Sequence, residues 1–179
     1  MRIITGKYKG RRFDIPPRFK ARPTTDYAKE SLFNVVRAYL DFEETEALDL
    51  FGGTGSISLE LLSRGCPKVV CIELERMHYD FIRRNFQTLG DEAGIVLHGD
   101  ALRYIERATG ATQFDFIFAD PPYKLPELPE LPDRVMQSPL LREGGLFVLE
   151  HGATNRFDER PDFLEHRAYG SVNFSFFRK

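Results

Sequence analysis

The sequence predicts an α/β fold: a mainly parallel, doubly wound sheet of seven strands closed by an antiparallel C-terminal hairpin and preceded by a short β-hairpin arm. Three observations predict it. Short apolar runs alternate with helical stretches from Glu46 to Glu150, which requires crossovers and a sheet covered on both faces. Acidic residues and turn formers stand where those runs end, the edge at which such sheets bind ligands. Two β-rich runs, "DFLEHRAY" and "VNFSFFRK", then meet around Gly170 and Ser171, as a hairpin would.

The arm comes first. In "RIITGKYKGRRFDIP", Gly6 and Gly10 bracket a basic tip between two short runs, and Tyr8 sits among the lysines. Through Arg22 the chain carries eight basic side chains against Asp14 alone, so a net charge of −2 leaves the remainder strongly acidic. Residues 1–22 are therefore read as a basic arm on an acidic body spanning 23–179, and a polyanion is the natural partner of such an arm. From Ala28 to Leu40 apolar residues recur with helical spacing, and Thr25 or Asp26 can cap the start.

Beyond Glu46 the strands read as "EALDLF", "KVVCIEL", "GIVLHGD", "FDFIFAD" and "GGLFVLE", with helices near Ser56–Ser63, Glu75–Leu89 and Ala101–Ala108 between them. "LPELPELP", from Leu125 to Pro132, favours extended, polyproline-like chain and should interrupt any helix.

Composition narrows the class. At 179 residues, 42% hydrophobic and 29% charged, one globular domain is expected, and no apolar run approaches membrane-spanning length, so a cytoplasmic protein is expected. Cys66 and Cys71 have no further cysteine or matching histidine pair, which argues against a zinc site or disulfide framework. The four histidines are scattered without metal-ligand spacing, so no metal is expected.

The strand ends carry the candidate ligand site. "LDLFGGTG" sets Asp49 and Phe51 before a sharp turn at Gly53 and Gly55, where the backbone lets a ligand approach. Glu73 closes the next strand, where a carboxylate accepts ribose hydroxyls; Asp100, with Ala101 behind it, closes the third. The dinucleotide fingerprint fails at Ser58, and Asp49 would repel a pyrophosphate while attracting an ammonium or sulfonium centre. A phosphate-free nucleoside fits better, and S-adenosylmethionine has both cationic centres. The fourth strand leaves the sheet through "DPPY", Asp120 to Tyr123, where two prolines withhold backbone donors and stiffen the exit. In isolation that is also how an Asp-initiated turn is built.

"LDLFGGTG", Glu73, "GDA" at Gly99–Ala101 and "DPPY" together resemble S-adenosylmethionine-dependent methyltransferases that modify exocyclic amines. "RIITGKYKGRR", "RPTTD" and "ESLFN" resemble more narrowly the bacterial small-subunit (16S) ribosomal RNA guanine-N2 methyltransferases, over nearly the whole chain. The resemblance implies a Rossmann-like class I methyltransferase fold, with S-adenosylmethionine held by Asp49, Phe51, Gly53, Gly55, Glu73, Asp100 and Ala101. It implies catalysis by Asp120, the Pro121 carbonyl and Tyr123, the first two gripping the amine and the third stacking on the base. Substrate contacts are expected from Lys7, Tyr8, Lys9, Arg11, Arg12, Arg22, Thr24 and Thr25, and the expected substrate is an assembled or partly assembled 30S particle. Gly52 stands where the family more often has alanine, an exchange expected to be sterically neutral. The motifs leave other acceptors open, adenine N6 or a protein glutamine, as well as a non-catalytic RNA-binding protein of the same fold.

Overall fold

Parallel strands joined by helical crossovers form the centre of the molecule, which a computed structural model describes for residues 1–21 and 24–179. Among these residues the strands are β1 (Glu46–Asp49), β2 (Lys68–Glu73), β3 (Gly94–His98), β4 (Phe114–Ala119), β5 (Leu141–His151), β6 (Phe163–Tyr169) and β7 (Val172–Arg178). They form one sheet in the order β3-β2-β1-β4-β5-β7-β6. The first five are parallel, whereas β7 pairs antiparallel with both β5 and β6. The expected seven-stranded sheet and closing hairpin are present.

Alternation along the strands assigns the two faces. Ala47, Cys71, Phe116, Phe118, Val148, Phe174 and Phe176 pack with α1 (Asp26–Val36), α2 (Ser56–Ser63) and α3 (Arg76–Leu89). Leu48, Ile72, Ile117, Phe147 and Phe177 face α4 (Ala101–Glu106) and α5 (Leu131–Gln137). No helix among the described residues is long and apolar enough to cross a membrane.

Three local expectations are corrected. The helix predicted through Leu40 ends at Val36, because Ala38 and Tyr39 donate three residues back to Val35 and Val36 and tighten the last turn. "LPELPELP" is not extended: Leu128–Glu130 form a 3₁₀ turn and Leu131 begins α5. Proline in a first helical turn withholds only an N–H that has no intrahelical partner, and burial of Leu128 and Leu131 rewards the winding. Gly52 is not interchangeable with alanine here, since a Cβ would stand 2.5 Å from Cys71 Sγ and 2.9 Å from Ile82 Cδ1.

The arm is a hairpin, bridged between Arg2 and Arg12, and it is built into the body of the protein. Ile3 and Phe13 are buried in the core on the α1–α3 face. Its polar anchor is Glu60, fully buried on α2, which accepts the Ile4 and Thr5 amides at 3.0 and 2.9 Å. Arg64 and Lys29 reach the same carboxylate at 3.2 and 3.3 Å, and the Lys29 ammonium also donates to the Arg2 carbonyl at 2.6 Å. Burial holds the Lys29 ammonium below its ordinary pKa, and the Glu60 charge opposes that fall. Removing one partner of such a pair strands the other without water. Glu60→Ala should therefore cost about 3–5 kcal/mol in urea unfolding; a loss below about 1 kcal/mol would show that the arm is anchored elsewhere.

Candidate active site

Strand order reverses between β1 and β4, so the crevice at their carboxyl ends is where a ligand enters such a sheet. Asp49 ends β1 opposite Phe118 of β4, and Asp120 lies two residues beyond on the same face. Ala119 pairs with Leu149, which sets Glu150 of β5 beside Asp120. Three carboxylates from three adjacent strands thus meet on one face at one edge.

Their surroundings differ. Asp49 is buried; its Oδ2 accepts the Ser58 hydroxyl at 2.7 Å, while Oδ1 has no partner among the described residues. This explains why serine stands where a dinucleotide fingerprint would end. Burial raises the Asp49 pKa to about 6, with Glu73 adding to the rise and Ser58 opposing it. Glu150 is 5% exposed; its Oε1 accepts the Tyr123 hydroxyl at 3.0 Å and its Oε2 has no partner among the described residues. Burial lifts it to about 7. Asp120 is held well above the ordinary carboxylate range, first by burial, then by the charges of Glu150 and Asp49.

The two prolines of the exit would leave both their carbonyls free if the chain simply ran on, and one of them is taken. Pro122 O accepts the Leu125 N–H at 2.8 Å and closes a turn, so of the two proline carbonyls only that of Pro121 lacks a donor among the described residues. Tyr123 is 47% exposed, its hydroxyl tethered to Glu150 and its ring available.

On the other side of Asp49 the glycine turn is tied to Glu73. The Glu73 carboxylate, 7% exposed, accepts the Gly53 amide at 2.7 Å through Oε2 and the Glu75 amide at 2.7 Å through Oε1. Gly53 has φ +55° and its missing Cβ would meet nothing nearer than Ala21 Cβ at 3.7 Å, which leaves room over the turn. Gly55, at φ +76°, caps α2 in a conformation L side chains rarely adopt. Phe51 is half-buried beside the turn. Asp100 caps α4 by accepting the Arg103 amide at 2.9 Å, and Ala101 behind it is buried. This donor and acceptor set fits a ligand with a cationic centre and a ribose: Asp49 offers an orphaned buried oxygen, and each Glu73 oxygen keeps a second lone pair. Leu74, 59% exposed immediately after Glu73, adds an apolar surface suited to a base.

The candidate substrate contacts fall into two groups. Lys7 and Tyr8 both reach Asp91 Oδ2, at 2.9 and 3.0 Å, and the Lys7 amide donates to Ser63 O. Ser63 ends α2 and Asp91 precedes β3, so this tip lies at the amino edge of the sheet, about one strand length, roughly 20 Å, from Asp120. Lys9 and Arg12 are exposed, and Arg11 reaches the Thr88 carbonyl at 3.4 Å. The other end of the arm returns to the carboxyl edge. Phe19 lies against His78 at 4.3 Å between ring centroids, His78 stands 3.8 Å from Glu73, and Ala21 adjoins Gly53. Thr25 caps α1 by accepting the Ala28 amide at 3.2 Å, Thr24 is half-exposed, and Arg22 lies outside the described residues.

Sequence reasoning missed Glu150, Phe19 and Leu74. The signal for Glu150 in "GGLFVLE" was partial: the run ends in an acidic residue, as those leading to Asp49, Glu73 and Asp120 do, but its place beside β4 is not written there. Among the described residues no group of three or more His, Cys, Asp or Glu side chains is placed to hold a metal ion.

Residues 1–178 match the protein family described as conserved hypothetical protein 95. The Bacillus subtilis protein YlbH is 33% identical over 184 residues, covering 100% of this chain and 99% of that one. Escherichia coli ribosomal RNA small subunit methyltransferase D is 30% identical over 161 residues, 90% of this chain and 79% of that one. The solved structure of Escherichia coli yhhF superposes with a TM-score of 0.87 at 27% identity, covering 100% of this chain and 97% of that one. The strand order and these likenesses make the fold that of class I methyltransferases.

The buried acids carry a signed pH dependence. Their folded pKa values are raised, so between about pH 4 and 7 the folded state holds more protons than the unfolded chain and stability falls as pH rises. Asp49→Asn should therefore gain on the order of 3 kcal/mol over the unmodified protein at pH 8 and little at pH 4, read from urea unfolding at both values. Parallel behaviour at the two pH values would mean that Asp49 ionises as an ordinary carboxylate.

Proposed function

The chain belongs to the conserved hypothetical protein 95 family, and from that premise we propose that it methylates the exocyclic N2 amine of a guanine in small-subunit ribosomal RNA, using S-adenosylmethionine. The name borne by its Escherichia coli relative supports the RNA substrate. The observation that carries the chemistry is the placing of Asp120 next to the Pro121 carbonyl, which has no donor among the described residues, at the switch-point edge beside the turn tied to Glu73.

When bound, S-adenosylmethionine supplies a methyl group on a sulfonium, a leaving group that departs as a neutral thioether. Glu73 would hold its ribose and the open turn at Gly53 its methionine part, with the free oxygen of Asp49 toward the cationic end. The rest belongs to the chain's own side chains. An exocyclic amine is a poor nucleophile because its lone pair is delocalised into the ring. Asp120 and Pro121 O each accept one of its N–H bonds and so orient the nitrogen. Asp120 stabilises the charge that develops there and takes the proton; its raised pKa suits that task. Tyr123 supplies the stacking face.

A pocket of this kind admits only an unstacked base. The basic tip stands about one strand length away, roughly 20 Å, so it acts on phosphates well beyond the target nucleotide and recognises shape. That favours an assembled or partly assembled 30S particle, whose proteins hold the RNA in place.

The primary test offers small-subunit particles, naked ribosomal RNA, adenine-containing DNA and a glutamine peptide in parallel with radiolabelled cofactor. Label in N2-methylguanosine from the particle is expected; label only in N6-methyladenine or the peptide would exclude the assignment. Asp120→Ala should lose about 10²–10³-fold in turnover while still binding the demethylated cofactor, and Glu73→Ala should lose roughly 10–150-fold in that binding by calorimetry. Neutralising Lys7, Lys9, Arg11 and Arg12 together should weaken RNA binding and flatten its salt dependence with cofactor affinity unchanged. An unaltered salt slope in that variant would remove the arm from RNA recognition.

A further inference from the structure

We propose that Glu150 selects the base: its carboxylate accepts the ring N1–H of a guanine whose exocyclic amine is gripped by Asp120 and the Pro121 carbonyl. The inference rests on the methyl-transfer reading above and names what would separate guanine from other exocyclic amines at the same site.

Three observations carry it. The β4–β5 register sets Glu150 beside Asp120, and on neighbouring strands about 4.8 Å apart the two side chains rise from the same face. Glu150 is 95% buried by its 5% exposure, yet its Oε2 has no hydrogen-bond donor among the described residues. A buried carboxylate oxygen left so is costly, and a donor from the ligand relieves the cost. Its other oxygen holds the Tyr123 hydroxyl at 3.0 Å, so the residue that would read the edge of the base also fixes the ring on which its face would stack.

The chemistry of the acceptors then discriminates. Guanine presents N1–H directly beside its N2 amine, two donors in a row that match two carboxylates in a row. Adenine presents a bare N1 acceptor beside its N6 amine, and a glutamine amide presents a carbonyl oxygen. Either would set a lone pair against the Glu150 carboxylate. Sites built to pair with a specific hydrogen-bonding group reject analogues that lack it far more strongly than apolar pockets reject a missing methylene.

The experiment replaces the mapped target guanosine, in reconstituted small-subunit particles, with 2-aminopurine riboside, which keeps the 2-amine but has a bare N1. The unmodified enzyme should show kcat/KM about 10²-fold lower for 2-aminopurine. Glu150→Gln, whose amide can turn its NH₂ toward that N1, should narrow the ratio to within about tenfold, with affinity for the demethylated cofactor unchanged. Equal use of both bases by the unmodified enzyme overturns the inference without needing any variant. A full ratio retained in a folded, cofactor-binding Glu150→Gln overturns it too, while leaving guanine methylation standing. Methylation of adenine N6 in place of guanine by the unmodified enzyme overturns both readings.

Discussion

Parallel pairing of β1, β4 and β5 brings Asp49, Asp120 and Glu150 to one edge, on one face, with Asp49 and Glu150 all but closed to solvent. Burial raises the pKa of all three, and at Asp120 the charges of Glu150 and Asp49 add to the rise. Unpaired, the cluster works against the fold. It persists because the ladders that impose it belong to a sheet buried by helices on both faces, whose aromatic core from Phe116 to Phe177 overrides a local penalty. Each neighbouring hydrogen bond relieves part of the strain: Ser58 on Asp49, Tyr123 on Glu150, the Gly53 amide on Glu73 nearby. The unrelieved part is an affinity for donors and cations.

Much of this was legible without coordinates, because it is written in local pattern. Alternation located the strands, glycines with positive φ punctuated the turns, and the acids after "LDLF" and "FIFA" marked the ligand edge. What was illegible depends on partners distant in sequence. Glu150 becomes a site residue only once β5 is known to neighbour β4 rather than lie at an edge. Glu60 sits in "SISLELLS" like any exposed helical glutamate, and only the docking of residues 3–5 explains its complete burial. The proline-rich stretch misled for a related reason: its period of three suits polyproline and a 3₁₀ turn equally, and burial of Leu128 and Leu131 decides between them.

The arm shows how charge counted along a sequence differs from charge presented to a partner. Arg2 is paired with Asp26 and Lys7 with Asp91, so part of the basic excess is answered within the molecule. Lys9 and Arg12 remain exposed on a hairpin whose backbone is fixed by a buried carboxylate. A fixed array of few charges recognises spacing between phosphates, whereas a mobile array of many would recognise only their number.

The arm's far end has a thermodynamic consequence. Phe19 leans on His78, His78 stands beside Glu73, Glu73 holds Gly53, and Ala21 adjoins that same turn. The segment descending from the basic hairpin therefore also borders the space over the glycine turn, so one stretch of chain joins the hairpin to whatever occupies that pocket. If either ligand shifts the segment, linkage requires reciprocity: the factor by which a polyanion on the arm changes affinity in the pocket is the factor by which the pocket's occupant changes affinity for the polyanion. The order in which the two arrive then cannot alter the free energy of the ternary complex, only the route by which it forms.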